Sequence, residues 1–325
     1  MTNRSPMAIV ASGLRKAFGD HVVLDGIDVA VGPGKVYAML GPNGAGKTTV
    51  VNILTTLLTA DAGTVVIAGH DVATDGDAAR AAIGVTGQLS AVDNLLTGRE
   101  NLQLMADLRH LRKKEGRERV QQLLEHFDLV DAAGKLLSTY SLGMRRRLDL
   151  AMTLVGEPRI IFLDEPTTGL DPRSRRTMWE LIRSLADGGV TIFLTTQYLE
   201  EADELADWIA VLDGGRLVAE GTSDALKQRV PGGHIRLQFA DAEALAAAAE
   251  HFAGATADEE ALTLSVPSDG RPDDVRSALD RLERAGIELG GLSMHTPDLD
   301  DVFFALTGNG AKASATTDSL ERAAQ

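Results

Sequence analysis

The 325-residue sequence contains no cysteine, which excludes disulfide bonds and thiolate metal sites. Long apolar runs are missing too, because no stretch approaches the ~18 consecutive apolar residues of a membrane-spanning helix. The first ten residues, MTNRSPMAIV, lack the basic segment and apolar run of a secretory signal. From these absences we expect a protein of the reducing cytosol.

Positive charge is also scarce. The chain has 32 Lys and Arg residues against 47 Asp and Glu residues, a formal net charge of −15. Nucleic-acid binding and attraction to anionic lipid both need clustered cations, so we expect no nucleic-acid partner. The three consecutive arginines at 145–147 face different directions on a helix, and we interpret them as a solvated helix face.

Apolar patterning predicts an α/β protein. The first forty residues indicate short strands. We expect them to form an antiparallel edge that leads into a buried strand with the sequence VYAML. Further along, the short apolar runs RIIFLDEP and VTIFLTT alternate with helical spacing, which is typical of a parallel sheet. Residues of about 89–158 show mainly helical spacing and predict a helical insert.

A change of pattern near Pro-Gly-Gly at 231–233 predicts a domain boundary. We expect a first domain over residues 1–228 and a small α+β domain over 229–308, which we assign to regulation, dimer support or partner contact. Residues 309–325 are small and polar and cannot bury enough apolar surface to offset the entropy of ordering. They are therefore predicted to form a flexible tail.

The segment GPNGAGKT, residues 41–48, fits the G-x-x-x-x-G-K-[ST] phosphate loop. Its glycines let successive backbone N–H groups point at phosphate oxygens, while the lysine adds a positive charge and the threonine hydroxyl can bind Mg²⁺. A plain glycine-rich turn is the alternative, but the segment follows a predicted strand and precedes a predicted helix. We expect nucleotide to bind Gly41, Pro42, Asn43, Gly44, Ala45, Gly46, Lys47, Thr48 and Thr49.

Two adjacent carboxylates, Asp164 and Glu165, end the apolar run RIIFLDEP. A capped turn is the ordinary interpretation of such a pair. After a phosphate loop, we favour a different one: Asp164 holds Mg²⁺ together with Thr48, and Glu165 polarises an attacking water.

Five segments in this order resemble the ABC-type ATPases: GPNGAGKTT, GVTGQL, YSLGMRRRLDLA (residues 140–151, the signature segment), IIFLDEPTTGLDP and LTTQYLEEAD. The resemblance spans residues of about 7–225 and implies a RecA-like P-loop NTPase core that binds ATP and Mg²⁺. It also implies roles for single residues. Phe18 corresponds to the aromatic that stacks on adenine, Gln88 to the glutamine that senses Mg²⁺ and water, and Asp171 to a loop that joins two subunits.

The resemblance further implies a head-to-tail homodimer. ATP then lies between the phosphate loop of one subunit and Ser141, Leu142 and Gly143 of the other, where a helix N-terminus favours an anion.

Within the family the chain is most similar to the daunorubicin-resistance type of drug-exporter ATPase. Three segments carry this similarity: the signature methionine followed by RRRLDLA, TTQYLEEAD, and LDDVFFALTG near the end of the chain. This similarity implies a subunit that hydrolyses ATP to power efflux of a hydrophobic drug or antibiotic. The similarity also implies a separate membrane permease as the efflux path. We expect the chain to lie against this permease on the cytoplasmic face and to dock through residues 88 to about 135. Two alternatives are a soluble ABC ATPase of DNA repair or ribosomes, and a regulatory module with weak turnover. Long coiled coils, zinc cysteines and tandem cores, typical of the former, are missing.

Two positions depart from the family pattern. Gln197 stands where a switch histidine is usual, and an amide can bond a γ-phosphate but cannot become cationic, so we expect hydrolysis to rely on Glu165. Leu142 stands where the signature usually has glycine. Either the backbone there is an ordinary helix N-terminus and tolerates leucine, or the side chain weakens closure of the dimer over ATP. We favour the second interpretation.

Overall fold

The computed structural model describes residues 7–87, 92–229, 233–268, 271–295 and 298–303, and the predicted tail at 309–325 lies outside them. The chain divides into two compact units, residues 1–223 and 224–325.

The first unit contains ten described strands: β1 (Ile9–Phe18), β2 (His21–Val31), β3 (Val36–Leu40), β4 (Ala62–Ile67), β5 (His70–Asp71), β6 (Ile83–Thr86), β7 (Ile160–Asp164), β8 (Thr191–Thr196), β9 (Trp208–Asp213) and β10 (Arg216–Gly221). Its described α-helices are α1 (Lys47–Leu54), α2 (Gly76–Ala81), α3 (Gly98–Leu108), α4 (Lys113–His126), α5 (Leu142–Thr153), α6 (Pro172–Asp187) and α7 (Leu199–Leu205), and α8 (Ser223–Lys227) begins at its last residue.

A six-stranded sheet with the order β10-β9-β3-β8-β7-β6 forms the centre of this unit. All its neighbours pair in parallel except β10, which runs antiparallel to β9 at one edge. Every residue of β3, β7 and β8 is buried, as expected for continuous apolar strands covered on both faces. The predicted α/β fold with a mainly parallel sheet is therefore confirmed.

A second, four-stranded sheet has the order β2-β1-β4-β5, and its strands pair antiparallel. The long hairpin of β1 and β2 contributes Ile9, Leu14, Leu24 and Ile27 to the main apolar core, where they meet residues of α1 and of the central sheet. The antiparallel edge predicted from the first forty residues is thus a separate sheet.

The predicted helical insert contains α3, α4 and α5. Thr97 and Glu100 close the start of α3 with a reciprocal capping box. The interpretation of the three arginines as a solvated face was wrong. Arg145, Arg146 and Arg147 are all partly buried. Arg145 donates a hydrogen bond to the Tyr140 carbonyl at 3.4 Å, and Arg147 donates one to the Phe127 carbonyl at 2.9 Å.

The helix after the phosphate loop is shorter than the helical spacing of its apolar residues predicts; these residues are Val50, Val51, Leu54, Leu57 and Leu58. It ends at Leu54, and Leu57 lies beyond it with 71% of its surface exposed. No helix in the part of the chain that the structure describes has the length and apolar character needed to cross a bilayer.

The second unit contains β11 (His234–Gln238), α9 (Ala242–Ala249), β12 (Thr256–Asp258), β13 (Thr263–Pro267), α10 (Pro272–Ala285) and β14 (Gly291–His295). The strands form an antiparallel sheet with the order β12-β13-β11-β14. Leu237 and Leu264 of the sheet pack with Leu245 of α9 and Leu282 of α10 in a core of their own. This unit has the α+β composition that the alternating pattern predicts.

Candidate functional site

The phosphate loop and both carboxylates lie at one edge of the central sheet. The loop follows β3, the two carboxylates are at the end of β7, and Gln197 follows β8, which lies between the other two strands. Because the three strands are parallel, their carboxyl ends meet at the same edge, where α/β proteins bind ligands. Segments about 150 residues apart in sequence thus converge.

Two glycines let the phosphate loop take its path. Gly46 caps α1 with a φ of 109°, a left-handed conformation that a side chain would strain. Gly41 has no such torsion, but a Cβ on it would lie 2.3 Å from the carbonyl oxygen of Leu212 in β9. The loop curves around a cleft of about 480 Å³ lined by Val23, Pro42, Asn43, Gly44, Gly46, Lys47, Thr48, Thr49 and Glu165.

Lys47 is nearly buried at the base of this cleft, with 5% of its surface exposed. Its Nζ donates hydrogen bonds to the carbonyl oxygens of Gly41 and Pro42 at 2.8 and 3.2 Å, and lies 3.7 Å from Glu165 Oε1. Burial lowers the pKa of the Lys47 ammonium, while the negative charges of Glu165 and Asp164 act against that shift. A cation held this way can bind the oxygens of a phosphate group.

Asp164 is buried and accepts a hydrogen bond on each oxygen. Thr48 Oγ1 donates to Oδ2 at 3.1 Å, and Thr195 Oγ1 donates to Oδ1. Thr48 lies in the first turn of α1 and Thr195 lies in the neighbouring strand β8, so the carboxylate is oriented from two sides. The hydroxyl of Thr48, which lines the cleft, and the carboxylate of Asp164 behind it form a pair of hard oxygen donors.

Glu165 leaves the sheet in a left-handed conformation with a φ of 51°, which is unusual for a residue with a side chain. Its backbone N–H donates to Thr195, at 3.1 Å to the carbonyl and 3.2 Å to Oγ1. Its Oε2 accepts a hydrogen bond from Thr168 Oγ1 at 3.2 Å. The carboxylate therefore faces the cleft, within 3.7 Å of the lysine.

The signature segment begins α5. Ser141 is the N-cap, and its Oγ accepts a hydrogen bond from the Met144 N–H at 3.2 Å. Leu142 is the first helical residue, and its φ is not positive, so the backbone is an ordinary helix N-terminus. A Cβ on Gly143 would lie 2.9 Å from Ser174 Oγ, and one on Gly169 would lie 3.3 Å from Leu142 Cδ2. The start of α5 therefore packs on residues 169–174 of the same chain.

The remaining predicted site residues differ in how they lie relative to the cleft. Gln197 follows Thr196, whose carbonyl accepts the Gly41 N–H at 3.3 Å, so it lies beside the phosphate loop. Asp171 caps α6, where Ser174 donates to both its carboxylate oxygens and thereby lowers its pKa. Phe18 ends β1 with 53% of its surface exposed, and is not among the residues that line the cleft. Gln88 lies outside the described residues.

Comparison with known proteins gives the family. The profile described as ABC transporter matches residues 24–168. The daunorubicin resistance ATP-binding protein DrrA3 of Streptomyces coeruleorubidus is 48% identical over 304 residues, which are 93% of this chain and 96% of that protein. The chain belongs to the ABC transporter family. As an ATP-binding subunit of this family it is an ATPase.

Other similarities agree with this assignment. The daunorubicin/doxorubicin resistance ATP-binding protein DrrA of Streptomyces peucetius is 46% identical over 329 residues, 99% of this chain and 98% of that protein. A solved structure described as the ATP binding subunit of an ABC transporter is 26% identical, with a TM-score of 0.62 over 68% of this chain and 92% of the other. The resemblance to daunorubicin-resistance ATPases drawn from the motifs is thus confirmed.

Three site residues of this ABC ATPase were missed by motif reasoning. Val23 of β2 lines the cleft, Thr195 joins Asp164 to the Glu165 backbone, and Thr168 contacts the Glu165 carboxylate. Thr168 lies three residues after Glu165, within the segment IIFLDEPTTGLDP, and could have been found there. Thr195 reaches the site because β8 pairs with β7, and Val23 because β2 lies against Gly46 of the phosphate loop. No local pattern encodes either contact.

Proposed function

We propose that this ATPase binds ATP together with Mg²⁺ and hydrolyses it to power export of a hydrophobic drug or antibiotic through a separate membrane permease. The observation that carries the proposal is that Lys47, Thr48 and Glu165 line one cleft. Thr48 is hydrogen-bonded there to the buried carboxylate of Asp164. The chemical class of the cargo rests on the relatives whose names state resistance to daunorubicin or doxorubicin.

Different residues at the cleft have different roles in hydrolysis. Lys47 and the N–H groups at the start of α1 bind and orient the β- and γ-phosphates of ATP. Glu165 accepts a proton from the attacking water, because its carboxylate faces the cleft and Gln197 cannot act as a base. We assign to Gln197 a hydrogen bond to the γ-phosphate, from its place beside Gly41.

The donor set fits Mg²⁺. Thr48 Oγ1 and Asp164 Oδ2 lie 3.1 Å apart, and both are hard oxygen donors. Among the described residues no cluster of three or more acidic or histidine ligands could hold a metal by itself. This agrees with Mg²⁺, which takes one or two protein oxygens and completes its shell with water and phosphate. When bound there, the ion neutralises negative charge on the phosphates.

We infer that two copies of the chain share the nucleotide. Ser141, Leu142 and Gly143 stand at the N-terminus of α5, where free N–H groups and the helix dipole favour an anion. Ser141 and Leu142 are exposed, so they are available to the ATP of a second copy. Asp171 and Phe18 keep their assigned roles, at the subunit contact and at adenine.

The helical insert is the proposed contact with the permease, on the cytoplasmic face of the membrane. Several large apolar side chains of this part of the chain are exposed, as is common at protein interfaces; these are Leu95, Leu104, Leu108, Val130 and Leu136.

The test compares the parent with Glu165→Gln, both co-expressed with the permease and purified in detergent. The variant keeps side-chain size but loses the base, so ATP binding is retained while hydrolysis falls by about 100- to 10,000-fold. Inside-out vesicles then report uptake of daunorubicin, followed by its fluorescence. Hydrolysis by Glu165→Gln at the parental rate would contradict the role of Glu165. ATP-dependent daunorubicin uptake equal in vesicles with and without the chain would contradict the export function.

Leu142 and Gln197 favour one second candidate, a regulatory ATP-binding module with weak turnover. The same preparation separates the two functions. An exporter subunit hydrolyses ATP faster when the permease is present, whereas a regulatory module keeps the same low rate with and without it.

A further inference from the structure

We propose that Glu201 is a positioning residue for hydrolysis: its buried carboxylate holds the segment after Glu165 and the segment that carries Gln197 in one fixed arrangement. The inference rests on the proposed role of Glu165 as the base. Glu201 itself does not line the cleft.

Glu201 is fully buried in α7, with 0% of its surface exposed. One carboxylate oxygen, Oε1, accepts two hydrogen bonds, from Thr167 Oγ1 at 2.7 Å and from Trp179 Nε1 at 3.1 Å. Thr167 is also fully buried and Trp179 nearly so. One oxygen atom therefore joins three separate parts of the chain.

The first bond fixes the turn that presents the base. Thr167 lies two residues after Glu165, and its carbonyl accepts the Leu170 N–H at 3.1 Å. The next residue, Thr168, donates its hydroxyl to Glu165 Oε2 and its N–H to the Glu165 carbonyl at 3.3 Å. A displacement of Thr167 would thus move Thr168 and, with it, the hydrogen bond that orients the Glu165 carboxylate.

On its other side, Glu201 belongs to the segment that carries Gln197. Only four positions separate the two residues, and the Tyr198 N–H between them donates to Thr196 Oγ1 at 2.9 Å. The Arg175 guanidinium of α6 lies 5.2 Å from the centre of the Tyr198 ring, a cation–π contact. The start of α7 is therefore linked to α6 by three contacts: this stacking, the hydrogen bond from Trp179, and an ion pair between Arg175 and Glu200 at 3.4 Å.

Simple anchoring of α7 is a weaker explanation for this carboxylate. Burial raises the pKa of Glu201, and hydrogen bonds with Thr196, Thr167 and Trp179 act against the rise. A buried carboxylate is costly to desolvate, and an apolar side chain of similar volume often anchors a helix at least as well. What the apolar side chain cannot do is accept two directed hydrogen bonds, one of which sets the position of Thr167.

The two donors on Oε1 provide a matched pair of variants. Thr167→Val removes the donor from the segment after Glu165, while Trp179→Phe removes the donor from α6. We expect Thr167→Val to lower kcat by about 10- to 100-fold, as for loss of a hydrogen bond to a buried charge, with the Kd for MgATP unchanged. Trp179→Phe should lower the Tm while kcat stays within about threefold of the parent. Thr167→Ser keeps the hydroxyl and should restore kcat.

Hydrogen exchange in the full chain gives a readout that does not depend on activity. In Thr167→Val the amides of residues 168–170 should exchange faster, while those of α1 keep their protection. Glu201→Gln retains an acceptor oxygen and should recover most of the kcat that Glu201→Leu loses.

Three results would overturn the inference: parental kcat in folded Thr167→Val, equal loss of kcat in Thr167→Val and Trp179→Phe, or equal kcat in the two Glu201 variants. A wrong assignment of Glu165 as the base can be told apart from a wrong assignment of Glu201. In that case Glu165→Gln would still hydrolyse ATP, while the hydrogen exchange of residues 168–170 would still rise in Thr167→Val.

Discussion

Gly41 offers the sharpest test of how the fold shapes the phosphate loop. Its φ is not in the left-handed region, so its need for glycine is purely steric. In Gly41→Ala the new Cβ would meet the carbonyl oxygen of Leu212 at 2.3 Å and the carbonyl carbon at 3.3 Å. Both atoms belong to the backbone of β9, in the interior of the sheet, and cannot rotate away.

The size of the effect follows from this contact. An ordinary Cβ contact is at least about 3.4 Å, so the loop or the strand must move by about 1 Å. Overpacking of this kind costs about 1–3 kcal/mol, which lowers the Tm by roughly 2–12 °C for a unit of this size. A shift of ~1 Å in groups that bind the phosphates weakens function by about 100-fold.

The assay titrates the full chain with a fluorescent ATP analogue and follows thermal unfolding of the same preparation. Gly69→Ala is the control, because Gly69 has a φ of 91° but the place that its Cβ would take has no neighbouring atom within 4 Å. It should lose about 1–2 kcal/mol of stability from the left-handed backbone and keep the parental affinity for ATP. Parental affinity and Tm in Gly41→Ala would refute the steric argument, as would equal loss of affinity in the two variants.

Three further predictions concern other parts of the first unit. Leu142→Gly should raise hydrolysis by the chain without permease by about tenfold, because loss of the half-exposed side chain relieves crowding of about 1–3 kcal/mol where two copies close over ATP. An unchanged rate with and without the permease would contradict this. Tyr37→Phe removes a hydroxyl that donates to Glu220 at 3.0 Å and should lower the free energy of unfolding by about 1–3 kcal/mol, measured in urea, with ATP affinity retained. An unchanged urea midpoint would show the bond to be unimportant. Thr195→Val removes a donor to Asp164 and should raise the Mg²⁺ concentration for half-maximal hydrolysis by about tenfold or more, whereas Thr195→Ser should not; equal Mg²⁺ dependence in the two would count against the assignment.

The parts of the site that depend on local backbone were predictable from sequence. The phosphate loop needs glycines and a following helix within one short segment, and the buried run before Asp164 and Glu165 identifies a parallel strand that ends in the site. Each signal lies within about ten residues, so one sequence is enough to read it.

Other features depend on pairings between distant segments. Thr195 contacts Asp164 because β8 pairs with β7, and Val23 reaches the cleft because the β1–β2 hairpin folds over it. At Leu57 the sequence pattern is misleading, because apolar residues continue at helical spacing beyond Leu54, where α1 ends. Contacts between strands that are distant in sequence leave no local pattern, whereas chance periodicity can extend a predicted helix beyond its true end.

The position of β3 in the sheet bears on how the protein is made. This strand pairs with β8 and β9, which follow it by roughly 150 and 170 residues. At a synthesis rate of ~5–20 residues per second, the ribosome needs about 10–30 s to deliver those partners. During that time the apolar strand β3 and the phosphate loop after it have no partner strands. A chaperone that shields the growing chain should therefore raise the yield of folded ATPase.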